Sequence, residues 1–215
     1  MSFINEIEDL IYEEYQELGK ENFPEKIRYF EKNKLRILKL PFNICLEIQC
    51  DYIFALHSME HNFKLLKVID SLITTVITEN VYKVNGRDIY KELLFIKAQA
   101  LYQIVDYNSA NHVSSELLKI DPDHKRCKEV FIKNNIDKLR YEGQNTRAFI
   151  ILMFLLSAII IGVEILAIRS FYPEMVKFFE IIRNGLFVLG LSTYIFQEFR
   201  IRQKAKASFY RLLKN

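Results

Sequence analysis

The stretch Ala148–Ile168, AFIILMFLLSAIIIGVEILAI, constrains this chain more than any other: its 21 residues carry a single charge, Glu164. As a helix it covers about 30 Å, the hydrocarbon thickness of a bilayer. A buried helix of a soluble domain usually shows a polar stripe, and none is visible before Glu164. A short polar break, Arg169-Ser170-Phe171-Tyr172-Pro173, leads to a second apolar stretch. Its uninterrupted core, Gly185–Phe196, is short, but residues 174–199 suffice to cross a membrane, with Lys177, Glu180 and Arg183 in the outer half. The expectation is a transmembrane hairpin over residues 146–199, with spans at about 148–168 and 174–199. The alternative for the second segment is a re-entrant or surface-lying helix.

Charge orients the hairpin. Lys133, Lys138, Arg140 and Arg147 precede it, and Arg200, Arg202, Lys204, Lys206, Arg211 and Lys214 follow it. The positive-inside rule puts both ends in the cytoplasm. Ala158 and Gly162 form a small-xxx-small pair that would let two helices approach closely. With span centres near Ala158 and Leu189, Glu164 and Arg183 both fall about 9 Å outside the midplane, in one leaflet. Each charge alone is unfavourable there, so an ion pair across the helix seam is expected, with Glu180 or Lys177 as fallback partners.

About 145 residues precede the hairpin, enough for one domain with its own core. Residues 1–31 hold nine acidic and three basic residues, whereas residues 200–215 hold six basic and no acidic ones. That tail, with Ile201, Phe209, Leu212 and Leu213 between its cations, reads as a basic amphipathic segment for anionic lipid headgroups. No basic patch recurs upstream, so no nucleic-acid partner is expected. Cys45, Cys50 and Cys127 form no C-x-x-C and read as reduced, packed thiols. The acidic, periodic N-terminal stretch looks like no signal or transit peptide, which favours a bacterial inner membrane.

Residues 1–145 have helical period almost throughout. Ile4, Ile7, Ile11, Tyr15 and Leu18 share one face, and Gly19 can end that helix. A second helix is expected from about Pro24 to Leu40, stopped by Pro41; a third covers Phe42–Met59, and a fourth Asn62–Glu79. Asn80–Arg87 reads as a loop centred on Asn85-Gly86, and no alternating run argues for a strand. A closing helix over 123–145 either continues into the first span or breaks near Gly143.

Residues 100–124, ALYQIVDYNSANHVSSELLKIDPDH, resemble the second half of a tetratricopeptide repeat. Ala98 falls on the small position of the first helix, Asp106-Tyr107 on the turn, Ala110 on the small position of the second helix, and Ile120-Asp121-Pro122 on its end. Small residues at 98 and 110 would let antiparallel helices approach, and Pro122 would stop the second. The repeat covers residues 91–124. A degenerate copy lies 44 residues earlier, with Phe63 matching Tyr107, Phe54 and Leu66 in the small positions, and Thr78 in place of the proline. The resemblance implies a peptide-binding groove along the inner helix, nominating Phe95, Gln99 and Tyr102 as partner-binding residues.

His57-Ser58-Met59-Glu60-His61 matches H-x-x-E-H, which on one continuous helix can bind zinc. The repeat alignment puts Glu60 and His61 in a turn, so the structural reading is favoured and no metal is expected. Neither a glycine-rich phosphate loop nor a G-x-S-x-G elbow occurs, leaving no basis for catalysis or a cofactor. The expected fold is all-α: TPR-like antiparallel hairpins, about six to seven helices, then a transmembrane pair. The expected function is an adaptor or scaffold that binds a protein or peptide partner at a membrane. The alternative is a membrane-active effector or immunity protein whose hairpin acts, and could oligomerise, in the bilayer.

Overall fold

The structure is a computed structural model that describes residues 2–19, 21–84 and 86–212, with side chains from Leu10 onward. Ile4 and Ile7 (as side chains), Asn85, Leu213 and Lys214 therefore lie outside the described residues. The chain is all-α apart from one short hairpin, and it divides into two compact units, residues 1–131 and 132–215.

The first unit holds α1 (Ser2–Glu17), α2 (Phe23–Ile37), α3 (Phe42–Ser58), α4 (Asn62–Thr78), α5 (Ile89–Gln103), α6 (Tyr107–Ile120) and the start of α7 (Lys125–Glu142). From α1 to α6, each helix packs on the next in sequence. Their punctuation is local. Pro24 sits in the first turn of α2, and Pro41 precedes α3. Asp88 and Asp106 cap α5 and α6 by accepting the backbone N–H of Lys91 and Ser109 at 3.2 and 3.1 Å. His124 does the same for α7, its Nδ1 accepting the Cys127 N–H at 3.1 Å.

Helices α3, α4 and α5 end in one repeated device. Glu60, Asn80 and Val105 take left-handed φ values of 56°, 55° and 68°. The next amide then reaches back to a carbonyl of the last turn: His61 to Leu56, Val81 to Val76, Asp106 to Leu101. A β-branched residue is strained in that conformation, so Val105→Gly should stabilise the unit by about 1 kcal/mol in chemical denaturation.

The core joins all of α1–α5 around Ile37, Ile48, Ile53, Leu56, Leu65, Ile69, Leu93 and Ile96. Ala98 and Ala110 are fully buried where α5 and α6 meet. Ala110→Trp should therefore unfold this unit, because an indole overpacks a site without free volume. Unchanged melting of that variant would remove the small-residue argument.

Three sequence expectations need correction. Residues 83–84 and 87–88 form a two-stranded antiparallel hairpin, Lys83 opposite Asp88 and Val84 opposite Arg87, where a loop was expected. Two-residue strands are too short to show alternation. Helix α2 ends at Ile37, and residues 38–40 form a turn that buries Leu40. The third lies at the hairpin seam.

The second unit contains the rest of α7, α8 (Gln144–Val163), a π-helical turn (Glu164–Ile168), α9 (Arg169–Phe171), a 3-10 turn (Pro173–Met175) and α10 (Val176–Leu212). The chain breaks at Gly143. Two helical stretches, Gln144–Phe171 and Pro173–Leu212, are long and apolar enough to cross a membrane. Their flanks are bare, with Leu166, Phe178, Ile181 and Phe196 all exposed.

The α8–α10 seam runs through Ile150, Ser157, Glu164 and Ile168, not through Ala158 and Gly162. Ala158 is exposed, and a Cβ on Gly162 would meet nothing. The close approach is at Gly190, where a Cβ would lie 3.3 Å from that of Met153 and 3.4 Å from the Phe154 ring. A small-xxx-small pair acts only on the face turned toward a partner helix.

Residues 200–212 of the basic tail continue α10, a helix of about 55 Å, and no glycine or proline follows Gly190 to break it. Ile201, Ala205 and Phe209 are buried, while Arg200, Arg202, Lys204, Lys206 and Arg211 are exposed. Ile201 and Phe209, expected to enter the lipid, are thus already covered.

Candidate functional site

The first unit carries a groove of about 950 Å³. Its walls come mainly from the odd-numbered helices: Tyr12 and Tyr15 of α1, Glu47, Asp51 and Phe54 of α3, Phe95 and Gln99 of α5, and Arg126 of α7. Lys26 of α2 and Arg87 of the hairpin complete it. The period of alternation explains this: successive helices run back and forth, so every second one faces the same side.

One part of the groove is a carboxylate–tyrosine cluster. Lys26 Nζ donates to Asp51 Oδ2 at 2.8 Å, with the Lys26 side chain only 10% exposed. Tyr15 donates to the same carboxylate oxygen at 3.1 Å, and Tyr12 donates to Glu47 at 3.2 Å. Burial, reinforced by Asp51, pushes the Tyr15 hydroxyl well above the usual tyrosine range, and burial pushes the Cys50 thiol up to about 12. Cys50 therefore stays a protonated, inert thiol at neutral pH.

Elsewhere the groove pairs arginines with aromatic rings. The Arg126 guanidinium lies 4.6 Å from the centre of the Phe95 ring and donates to Glu92 at 3.1 Å. Arg87 lies 5.9 Å from the Phe54 ring. Phe95 is buried, and the His124 ring lies 5.4 Å from it. Gln99 is half-buried, and its buried Oε1 accepts no hydrogen bond. Of the three nominated residues, Phe95 and Gln99 line the groove; Tyr102, in the last turn of α5, stands outside the lining, its ring 6.1 Å from that of Tyr107.

The tyrosines make the first unit sensitive to alkali. Burial first, and a hydrogen bond to Glu14 second, push Tyr29 up to about 12; burial and the bond to Glu31 raise Tyr52 further. Above pH ~10 the unfolded chain releases these protons while the folded one retains them, so stability falls as pH rises. Circular dichroism should show unfolding with rising pH that becomes shallower in Tyr29→Phe and Tyr52→Phe. A profile flat from pH 9 to 12 would contradict it.

The hairpin holds a second cluster. Glu164 is fully buried, and its Oε2 accepts from Arg183 Nη1 at 2.8 Å while its Oε1 accepts from Arg169 Nη2 at 3.2 Å. Glu180, one of the fallback residues, approaches Arg169 at 4.0 Å. The π turn explains the second arginine. Residues five apart diverge by about 140° around an α-helix and by much less when the turn widens, which brings Arg169 nearer to Glu164. The bond that defines it runs from the Arg169 N–H to the Glu164 carbonyl. Nearby, Ser157 Oγ donates to the Arg183 carbonyl at 3.3 Å.

At the other end of this unit, Arg140 of α7 and Arg202 both donate to Glu198. The H-x-x-E-H segment is split: α3 ends at Ser58, and Glu60 is in the left-handed conformation. Its two histidines do not share a helix. Compared with known families, curated proteins and solved structures, the chain matches none.

Proposed function

We propose that the chain is a membrane-anchored helical-repeat adaptor, with TPR-like hairpins, that binds an extended segment of a protein partner in the groove. The observation that carries this reading is the groove itself. One helix of each successive hairpin contributes to it, and aromatic, amide and charged groups converge there, as peptide recognition requires. Support for the anchor comes from the two long apolar helices with bare flanks. The basic residues at the outer ends of the hairpin favour cytoplasmic termini, at a bacterial inner membrane. The exposed cations of the tail suit anionic headgroups where they leave the bilayer.

An effector or immunity protein would need its intramembrane charges to face water or another protomer. Glu164 is instead satisfied within its own hairpin, by Arg169 and Arg183, which favours the anchor. The test is peptide selection on the full chain held in lipid nanodiscs. Selected peptides should bind Gln99→Lys at least roughly tenfold more weakly, because the substitution puts a charge into the groove. Peptides that bind the variant as well as the parent would overturn the reading.

A further inference from the structure

The face of α2 and α4 turned away from the groove has a composition of its own. Between Lys32 and Leu46 the chain carries Lys32, Lys34, Arg36 and Lys39 and no acidic residue, directly after the strongly acidic first 31 residues. All four cations are exposed. Among them stand three large apolar residues with no cover: Leu35 at 78% exposure, Leu38 at 49% and Phe42 at 41%. Leu35 stands in the last turn of α2, Leu38 caps its end, and Phe42 opens α3 after the turn at residues 38–40. Exposed Lys67 and Phe63 of α4 extend the same chemistry. Lys34 and Leu38 also line an apolar recess of about 470 Å³ between α2, α3 and α4, floored by Phe30, Ile53 and Leu72.

We propose that this basic–apolar face is a second membrane contact, docking the first unit on an anionic lipid surface. It rests on the membrane reading of the hairpin. Charge complementarity selects the occupant: four cations that form no ion pair among the described residues match a surface of anionic headgroups, and leucine and phenylalanine between them match its acyl boundary. A peptide partner would leave those cations unmatched unless it were acidic. Contact on this face leaves the groove on the other side open to solvent and to its own ligand.

The chain contains no tryptophan, so Leu35→Trp installs a single fluorescent reporter at an already exposed site of α2. A separate Leu189→Trp variant reports the hairpin. Each full-length variant is reconstituted into vesicles containing brominated phosphatidylcholine, with or without phosphatidylglycerol. The α2 reporter should be quenched and blue-shifted in the anionic vesicles, and less so in neutral vesicles or high salt. Adding Lys34→Glu, Arg36→Glu and Lys39→Glu should shift the contact equilibrium by at least roughly a hundredfold, at about fivefold per residue, with circular dichroism unchanged. The hairpin reporter should be quenched in all of these. An unquenched α2 reporter beside a quenched hairpin reporter overturns the docking face and leaves the anchor standing. Unquenched tryptophan at both sites overturns the anchor and the face together. Quenching of the α2 reporter that ignores lipid charge and the three reversals overturns the electrostatic recognition, and so does recovery of contact on an acidic peptide in place of the vesicle.

Discussion

Glu164→Arg and Arg183→Glu each lower the amount of inserted full-length protein, and the double variant recovers most of it. Glu164 is fully buried and bonded to arginines on both sides of the hairpin turn. Removing one partner from a buried ion pair typically costs about 3–5 kcal/mol, because the remaining charge is left under-compensated; in Arg183→Glu, Arg169 still offsets part of the Glu164 charge. The structure adds a refinement through Arg169. In the double variant the new arginine at position 164 stands beside Arg169, so recovery is incomplete until Arg169→Gln is added. Membrane-fraction blots of the parent, the two singles, the double and the triple variant check the series. A double variant no better than the worse single would mean that the two charges do not support each other.

Asp51→Ala destabilises the first unit by about 2–3 kcal/mol, the second large effect, because the pair is part-buried. The substitution strands the Lys26 ammonium, which is 10% exposed, and removes the acceptor of the Tyr15 hydroxyl. Asp51→Asn retains an acceptor for both and should lose much less. Lys26→Met with Asp51→Leu removes both charges and should return most of the stability, leaving only the Tyr15 hydroxyl unmatched. Denaturant titration of the full chain, read at the tyrosine signal, separates these outcomes. Losses below about 1 kcal/mol for both Asp51→Ala and Asp51→Asn would show that the charge pair contributes little.

Helix existence was legible because period and punctuation agree. Pro41, Gly19, Asp106 and Gly143 each stand where a local rule stops or starts a helix, and the structure uses them there. The buried alanines at 98 and 110 were legible for the same reason: a small residue at a helix contact has one steric meaning. The groove was legible only along α5. Phe95 and Gln99 came from one segment, whereas Lys26, Asp51 and Tyr15 meet through pairings 25 to 36 residues apart that no local pattern marks.

The hairpin shows the same limit. Apolar length pointed to two long helices, and arithmetic on depth placed Glu164 level with Arg183. The seam, however, depends on which face each helix turns to its neighbour. Gly190 supplies the close approach while Gly162 faces open space, and sequence spacing cannot distinguish them. The π turn was equally hidden, because its signal is a hydrogen bond and not a residue type. The tail was read as a separate amphipathic piece because its composition changes at Arg200, yet composition does not break a helix where no glycine or proline stands, and none follows Gly190.

The most direct test of the account is the sidedness of three points on one chain. Reporter sites before Met1, in the Arg169–Tyr172 connection and after Asn215 are compared in intact cells. The account predicts that both ends report the cytoplasm and the connection reports the opposite side, with the groove unit held on the cytoplasmic face. A connection on the same side as both ends would mean that the α8–α10 pair does not cross, and the membrane-anchored adaptor would fall with it.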